Sequence, residues 1–526
     1  MSVLLRKVLI SDPVDDACVR LLQEHGIEAT CKYRLSKDDL VKEIKNYEGL
    51  IVRSETKVTA DVIASASSLK VIGRAGTGVD NIDINAATKK GVIVLNAPGG
   101  NSISACELTC ALIANLARNV TEACMSLKDG RWDRKLFAGF ELSGKTLAVL
   151  GLGRIGREVA ARMQSYGMRV IGFDPLVSAS DAKAFNVEKM ELEEIWPLAD
   201  FITVHTPLIP QTRNLINETV LSKCKSGVRV VNVARGGIVD EAALLAALKS
   251  GRCGGAGLDV FAEEPPQGEV TRELIRHPKV VATPHLGAST AEAQRRVAVE
   301  VAEQFVALAA GCSSEYRVTG AVNAPVLAAA ASPASDAWIR LAKELGRILS
   351  KLVKGVIPDT LIEIRTSGEA LGGMKFLGTA VLMGMLTGHT KNGLNMINAP
   401  TLAKEAGIEV VAKHDSEHDA APLLQVSVSL GKVGSHSVQG AVKADGSPYL
   451  LAIDGASFEQ GGVLLGGNSL LFRGKDRGSL AAIVAALVAQ GAAVTSLAAA
   501  GGEGQWVVVR TAESSPAPSV PGVVAF

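Results

Sequence analysis

Three residues with complementary chemistry follow strand-like segments in the middle of the chain: Arg235, Glu264 and His285. A histidine takes up a proton near neutral pH, a carboxylate can fix the tautomer of its ring, and a guanidinium can hold a carboxylate through two hydrogen bonds. These groups suit the oxidation of an alcohol that lies beside a carboxylate, provided that an acceptor takes the hydride. Spacing alone does not bring them together. Each also has a structural alternative: a surface turn, a loop acid before two prolines, and a polar residue satisfied by its neighbours.

A glycine-rich turn, Gly151–Gly156, supplies the acceptor site. It has the form G-x-G-x-x-G and lies between an apolar run at 146–150 and a helical stretch at 157–166. A second strand at 168–173 ends in Asp174, 18 residues after the last glycine. This is close to the spacing of about 20 residues that is typical of the dinucleotide-binding motif. The acid would bind the adenine ribose and repel a 2′-phosphate, so the sequence predicts NAD as the cofactor. The alternative is an ordinary glycine-rich turn with a surface acid.

Composition limits the class of protein. A chain of 526 residues exceeds one core, and a prior of about 150 residues per domain predicts three or four domains. Lys+Arg 55 against Asp+Glu 54 leaves no basic excess, so we expect neither a nucleic-acid partner nor a membrane partner. Eight scattered cysteines without a C-x-x-C pair, and no leader-like segment at the start, predict reduced thiols in the cytoplasm.

The first part of the chain alternates strands and helices, which predicts a parallel sheet with helices on both faces. Two of its strands end in a cation, Arg53 and Arg74. Ligands collect at the carboxyl ends of parallel strands, so the two arginines indicate an anionic ligand. They could equally be solvated or paired with local acids.

Turn-forming residues at 96–102 suit a hinge, after which we expect one long helix from Ser104 to about Lys128. Strands and helices alternate again from Gly144 to Pro284, and a helix at 289–310 leads away. A small-residue stretch at 328–333 indicates a junction.

Two smaller α+β units follow this junction. An amphipathic helix at 338–353 opens the third unit, and the last unit should run strand, helix, strand, strand over 470–510. His414 and His418 are four residues apart but lack a third ligand, so we predict no metal site. The apolar stretch 480–500 is interrupted at Gln490-Gly491, and we interpret it as core rather than as a membrane span.

At these residues the chain closely resembles the D-isomer-specific 2-hydroxy-acid dehydrogenases. The resemblance is carried by five segments: Val71–Asp83, Gly151–Gly156, Asn232–Glu241, Leu258–Pro266 and Pro284–Thr290. It implies that Arg235 binds substrate, Glu264 supports the catalytic histidine, and His285 is that histidine. The positions where relatives contact NAD are Thr77, Gly151, Gly153, Arg154, Ile155, Gly156, Asp174, Thr206, Val233, Ala234, Arg235, Asp259, His285 and Gly287. The implied substrate-binding residues are Arg53, Ser54, Arg74, Asn101 and Arg134, the last reaching in from a neighbouring subunit.

The resemblance also implies an architecture. We expect a discontinuous flavodoxin-like substrate domain at 1–99 and 286–315, an NAD-binding Rossmann domain at 100–285, an intervening domain resembling an allosteric substrate-binding domain at 316–452, and an ACT-like domain at 453–526. The active site would lie in the cleft between the two doubly wound domains. Asp476–Leu480 is similar to the turn that opens an ACT helix but lacks the usual proline, so no effector is assigned.

The implied activity is NAD-dependent oxidation of a small phosphorylated 2-hydroxy acid by a homo-oligomer, either a dimer or a tetramer. The apolar helix near Leu108–Leu116 gives indirect support for association. Reduction of 2-oxoglutarate is an expected side activity. The alternatives are a glyoxylate or hydroxypyruvate reductase and, from another class, an NAD-sensing corepressor-like scaffold.

Overall fold

The computed structural model describes residues 3–311, 315–324, 333–353, 359–389, 393–415, 421–430, 434–459, 461–474, 479–500, 505–521 and 523–525. The chain forms two compact units. One comprises Met1–Arg74, Gly78–Asn96 and Val301–Phe526, and the other comprises Ala75–Thr77 and Ala97–Glu300.

The first sheet contains five parallel strands in the order β2-β1-β3-β4-β5. These strands are β1 (Lys7–Ile10), β2 (Glu28–Cys31), β3 (Gly49–Val52), β4 (Val71–Arg74) and β5 (Ile93–Asn96). The helices between them are α1 (Asp16–Glu24), α2 (Lys37–Glu43), α3 (Ala60–Ser65) and α4 (Ile84–Lys90), with a 3₁₀ turn at Ile44–Asn46. β3 is buried along its whole length, as expected of a central parallel strand covered on both faces. The order confirms the predicted flavodoxin-like topology.

Two helices, rather than the one predicted, precede the second sheet: α5 (Ser102–Arg118) and α6 (Val120–Lys128). The break falls at Asn119, which adopts a left-handed conformation with φ 51°. Asparagine tolerates that conformation better than most residues. The Asn115 side chain then bonds the Thr121 backbone N–H and hydroxyl at 2.9 and 2.6 Å, which starts the second helix in a new direction.

The second sheet contains seven parallel strands in the order β12-β11-β10-β9-β6-β7-β8. They are β6 (Thr146–Leu150), β7 (Arg169–Phe173), β8 (Glu188–Lys189), β9 (Phe201–Val204), β10 (Val228–Asn232), β11 (Cys253–Leu258) and β12 (Val280–Ala282). The flanking helices are α7 (Arg154–Ser165), α8 (Ala179–Ala184), α9 (Leu192–Ile195), α10 (Glu218–Lys223), α11 (Glu241–Lys249) and α12 (Glu269–Arg276). Strands β6 to β8 are added toward one edge of the sheet, and strands β9 to β12 are added toward the other edge, starting beside β6. This change in strand order between β6 and β9 confirms the predicted Rossmann fold.

The helix α13 (Ala291–Ala310) carries an aromatic side chain that packs against the first sheet. The ring of Phe305 is fully buried and lies directly over Gly49 in β3 and Gly73 in β4. A methyl group at either glycine would collide with the ring, so the two glycines make room for it.

The third sheet has the order β14-β13-β15-β16-β17-β18, with β19 paired to β17. Its strands are β13 (Thr360–Ser367), β14 (Ile408–Asp415), β15 (Leu423–Ser429), β16 (Ser435–Val442), β17 (Pro448–Ile453), β18 (Ala456–Ser457) and β19 (Val463–Leu464). The helices are α14 (Pro333–Leu352), α15 (Leu377–Leu386) and α16 (Ala399–Glu405), with a 3₁₀ turn at Glu369–Leu371. Every second residue of β15 is buried, as its alternating sequence predicts. This sheet continues to Leu464, past the domain boundary predicted at residue 452.

The last sheet is antiparallel, in the order β21-β22-β20-β23. It comprises β20 (Asn468–Gly474), β21 (Val494–Ala500), β22 (Gln505–Thr511) and β23 (Val523–Ala525), with one helix, α17 (Ser479–Ala489). The chain turns at Gly491, as predicted, which confirms the interpretation of 480–500 as helix and strand. Most of the predicted junction at 328–333, His418 and the first part of the turn at Asp476–Leu480 lie outside the described residues. Within the part of the chain that the structure describes, no helix is long and apolar enough to span a membrane.

Candidate active site

The glycine turn follows β6 and opens α7. Gly151 has φ 96°, a conformation that favours glycine. A side chain on Gly156 would collide with the Gly151 carbonyl oxygen, whereas the space beside Gly153 is open. Gly153 precedes the first turn of α7, which has no side-chain cap. The helix N-terminus therefore presents backbone N–H groups to an open space, as pyrophosphate binding requires.

Asp174 lies at the carboxyl end of the neighbouring strand, β7. One carboxylate oxygen accepts a hydrogen bond from the Leu152 amide at 2.9 Å, and the other accepts one from the Leu176 amide at 2.8 Å. The carboxylate is thus held against the glycine turn. It stands where an acid binds the ribose of a dinucleotide in this fold.

Other predicted cofactor residues surround the same edge of the sheet. The Thr206 hydroxyl is buried and has no hydrogen-bond partner among the residues that the structure describes, as expected of a group that meets a ligand. Thr77 donates to the Asn101 side chain at 2.6 Å, and exposed Arg154 donates to the Pro98 carbonyl at 2.9 Å. Ile155 and Ala234 are half-buried, and Val233 is buried. These residues fit a dinucleotide.

The structure brings His285 and Glu264 together, with His285 Nδ1 2.6 Å from Glu264 Oε2. His285 comes after β12 and Glu264 after β11, which are neighbours in the sheet. The second carboxylate oxygen of Glu264 accepts a hydrogen bond from the Phe261 amide at 3.0 Å. This bond holds the carboxylate in its orientation toward His285. His285 adopts φ 55°, an uncommon conformation for a residue with a side chain.

A buried acid, Asp259, shapes the loop that carries His285. One of its oxygens accepts from the Thr283 hydroxyl at 2.6 Å and the Leu286 amide at 2.7 Å, and the other accepts from the Gly287 amide at 2.8 Å. The resemblance implied a cofactor contact at Asp259. In the structure its carboxylate is fully buried and bonded to this loop.

The Glu264 carboxylate and the protonated His285 ring stabilise each other's charge. The hydrogen bond to Glu264 raises the pKa of His285, against the effect of burial. Burial works to raise the pKa of Glu264, but the hydrogen bonds from His285 and the Phe261 amide hold that pKa below its usual value. The imidazole can therefore take up a proton beside a permanent negative charge. By contrast, burial lowers the pKa of His205 to about 3, which makes it a poor proton acceptor.

Arg235 follows β10 at the same edge. Asn232 holds its turn by accepting from the Ala234 amide at 3.0 Å and donating to the Arg235 carbonyl at 2.8 Å. Gly236 lies so close to the Phe261 carbonyl that no side chain would fit there, which places Arg235 beside the loop that carries Glu264. The charge of Arg235 lowers the pKa of both Glu264 and His285.

The Glu264–His285 pair gives a pH-dependent prediction. Oxidation needs a neutral imidazole, so activity should rise with pH through the pKa of His285. In Glu264→Gln the support for the charged ring is lost, its pKa falls, and the acid limb of kcat/KM should move to lower pH. The plateau should fall at least about tenfold because the ring is no longer oriented by a charge. An acid limb that stays in place or moves to higher pH, measured by initial rates from pH 5 to 9, would contradict this pairing.

The predicted anion-binding residues Arg53, Ser54 and Arg74 belong to the other unit. Arg53 follows β3 and Arg74 ends β4, and these strands are paired so that Val52 lies opposite Arg74. The two arginines therefore stand at the same edge of one sheet. Ser54 is exposed, and the Arg74 guanidinium donates to the Gly78 carbonyl.

Two residues in this region were not predicted from the sequence. Asp12 follows β1 and bonds the loop that begins at Arg53, and Asn81 bonds the same loop from the other side. Asp12 could have been found, because it too follows a strand of the parallel sheet. Asn81 lies in a loop, where no sequence pattern distinguishes it.

Comparison with known proteins places the chain among dehydrogenases. Residues 110–287 match the family described as D-isomer specific 2-hydroxyacid dehydrogenase, NAD binding domain, and residues 335–454 match the D-3-phosphoglycerate dehydrogenase intervening domain. The chain is 52% identical to D-3-phosphoglycerate dehydrogenase from Homo sapiens over 447 residues, which is 85% of this chain and 80% of the relative. It is 42% identical to that from Methanocaldococcus jannaschii over 462 residues, 87% of this chain and 86% of the relative.

A solved structure of a dehydrogenase is similar to part of the chain. D-lactate dehydrogenase from Aquifex aeolicus, complexed with NAD and lactic acid, superimposes with a TM-score of 0.52 at 28% identity, covering 58% of this chain and 96% of that one. The identities and coverage, with an NAD-binding turn and a histidine–carboxylate pair in the expected places, show that the chain belongs to the D-3-phosphoglycerate dehydrogenase family of D-isomer-specific 2-hydroxyacid dehydrogenases.

Proposed function

We propose that this protein oxidises 3-phospho-D-glycerate to 3-phosphooxypyruvate with NAD, the reaction that feeds the phosphorylated route of L-serine synthesis. The observation that carries the proposal is the 2.6 Å contact between His285 and Glu264 at the strand ends of the NAD-binding sheet. The relatives that the chain matches over most of its length are named for this activity.

His285 is the base of the proposed reaction. Its Nδ1 faces Glu264, so Nε2 is left to take the proton from the substrate hydroxyl. The hydrogen on the carbon that bears this hydroxyl leaves with its electron pair, as a hydride. Bound NAD would supply the acceptor for that hydride. The oxygen keeps the electrons of the O–H bond and becomes a carbonyl, while Glu264 stabilises the imidazolium that forms.

Cations recognise the two anionic ends of the substrate. Arg235 holds the carboxylate through paired hydrogen bonds and polarises the reacting oxygen. Arg53 and Arg74, with Ser54, Asn101 and Arg134, bind the phosphate and add further contacts to the carboxylate. The half-buried position of Arg53 suits a doubly charged partner better than a neutral one.

The test is a substrate panel with purified protein. NADH formation should be fastest with 3-phospho-D-glycerate when the product carbonyl is trapped, and much slower with D-glycerate or D-lactate, which lack the phosphate. Reduction of 2-oxoglutarate, measured in reverse with NADH, should be a slower side activity. Preference for glyoxylate or hydroxypyruvate over the phosphorylated substrate would favour a reductase of the same family.

The cofactor choice rests on Asp174. Replacing it with alanine should raise the KM for NAD about 10- to 100-fold, because one or two charge-assisted hydrogen bonds to the ribose are lost. NADP should be used relatively better, since the repulsive charge is gone. Asp181→Ala, which removes an exposed acid from the first turn of α8, is the matched control. It should leave the KM for NAD and the preference for NAD over NADP unchanged. An unaltered KM for NAD in Asp174→Ala would contradict the assignment.

We also propose that the protein is a homo-oligomer, joined by α6 and the loop after it. Leu112 and Leu116, which belong to the apolar stretch Leu108–Leu116, are buried in the core of their own domain. The exposed apolar side chains come just after them, and Trp132 and Leu136 are 80% and 75% exposed. Large apolar groups at such exposure favour a partner surface.

Light scattering after size-exclusion chromatography tests this proposal. The wild type should elute as a dimer or tetramer, and Trp132→Asp with Leu136→Asp should shift it toward the monomer. Val488→Asp, which changes a 60% exposed apolar residue on α17, serves as the control. A monomeric wild type would contradict the proposal.

We infer a reducing, cytoplasmic location because the seven described cysteines are free thiols, two of them exposed. We further propose that the last domain, one helix on a four-stranded antiparallel sheet, is ACT-like and regulatory.

A further inference from the structure

A buried carboxylate stands behind the loop that begins at Arg53. Asp12 is 1% exposed and follows β1, the neighbour of β3 in the first sheet. One oxygen accepts from the Arg53 amide at 2.6 Å and the Thr56 amide at 3.1 Å, and the other accepts from the Thr56 hydroxyl at 2.5 Å. A buried carboxylate is costly unless such donors surround it, so Asp12 fixes the backbone of this loop firmly.

A side-chain amide bonds the same loop through its carbonyl groups. Asn81 Nδ2 donates to the Arg53 carbonyl and to the Thr56 carbonyl, each at 2.6 Å. Thus Asp12 binds the N–H groups of the two residues and Asn81 binds their C=O groups. We call Asp12 and Asn81 the clamp. The clamp therefore bonds both the N–H and the C=O of Arg53, as it does those of Thr56.

The Arg53 side chain has a buried hydrogen-bond donor that a ligand could use. Its Nε is buried and has no hydrogen-bond partner within the described part of the chain. Burial lowers the pKa of Arg53, and the charge of Asp12 opposes that effect. A desolvated guanidinium with an unused donor binds a dianion strongly, but only if its backbone is already in place.

We propose that Asp12 and Asn81 are positioning residues for phosphate recognition, which act on the substrate only through Arg53. The inference rests on the proposed function, because it assigns the phosphate of the substrate to Arg53. It differs from a purely structural role, since the clamp should matter for the phosphorylated end of the substrate and not for NAD or the chemical step.

Single variants give the first test. In Asp12→Ala and Asn81→Ala, the KM for 3-phospho-D-glycerate should rise about 10- to 100-fold, the size of loss that is typical when a residue supporting a metal ligand is removed. The kcat and the KM for NAD should change less than about twofold. Asp12→Asn should restore most of the affinity, because its amide oxygen can accept from both backbone N–H groups while its NH₂ donates to the Thr56 hydroxyl. Asp61→Ala removes an exposed acid of the same domain and is the control.

A double-mutant cycle with Arg53→Ala decides whether the clamp acts through that arginine. In the Arg53→Ala background, adding Asp12→Ala should raise the KM no further than about twofold. An equal loss in both backgrounds would overturn the inference, and so would an equal rise in the KM for NAD. If Asp12→Ala fails to fold, Asn81→Ala completes the same cycle.

Calorimetric titration with 3-phosphoglycerate separates this inference from the proposed function. The cycle measured on Kd needs no turnover, so it applies even to a wild type that forms no NADH, an outcome that would refute the proposed activity alone. If the wild type turns over 3-phospho-D-glycerate but the clamp variants show unchanged KM and Kd for it, the proposed role of the clamp is refuted and the proposed activity is not.

Discussion

Replacing His285 with alanine should lower kcat about a thousandfold while the affinity for NAD stays within about twofold of the wild type. The loss has the size expected for removing a positioned general base. His285 is the histidine at this edge of the sheet that pairs with a carboxylate, and burial keeps His205 from replacing it. Steady-state rates with 3-phospho-D-glycerate give kcat, and the fluorescence of bound NADH gives the cofactor affinity.

His277→Ala is the matched control, because His277 lies in the same unit at the end of α12 and its ring accepts a hydrogen bond from the nearby Lys279 amide rather than pairing with a carboxylate. It should behave as the wild type. If His285→Ala retained a tenth of the wild-type kcat, or lost NADH binding to the same degree as turnover, His285 would not be the base.

Replacing Arg235 with lysine should lower kcat/KM about a hundredfold, and replacing it with alanine should lower it further. Lysine keeps the charge but loses the planar fork that binds both carboxylate oxygens at once. Because Arg235 also lowers the pKa of His285, the acid limb of the pH profile should move to higher pH in Arg235→Ala. This shift is opposite in direction to that expected for Glu264→Gln.

Arg272→Lys, on the exposed side of α12, tests whether an arginine-to-lysine change in this unit is harmful in itself, and it should have no effect. Equal kcat/KM for Arg235→Lys and the wild type would show that the arginine does not bind the carboxylate in a bidentate manner.

The parts of the site that the sequence predicted share one property: they lie at the carboxyl ends of parallel strands. The glycine turn, Asp174, Glu264 and His285 each follow a short apolar run, and in a parallel sheet such ends meet at one edge. Distance along the chain then matters little. This is why Glu264 and His285, in separate segments of the chain, can lie 2.6 Å apart. Their pairing was predicted from the family resemblance and not from their spacing.

Features that depend on packing were not predictable in this way. The run Ser104–Lys128 has helical residues throughout, and only the local bonds of Asn115 and the left-handed Asn119 divide it. Leu112 and Leu116 look like an association surface in sequence, because nothing local shows that they pack in their own core. Asn81 is recognisable only from the carbonyl groups around it.

The most direct test of hydride transfer next to His285 uses 3-phospho-D-glycerate that carries deuterium on the carbon bearing the hydroxyl. Mass spectrometry of the NADH formed should find the deuterium in the cofactor, because the carbon–hydrogen bond breaks toward NAD while His285 takes only the hydroxyl proton. Deuterium recovered in water, with unlabelled NADH, would contradict the account.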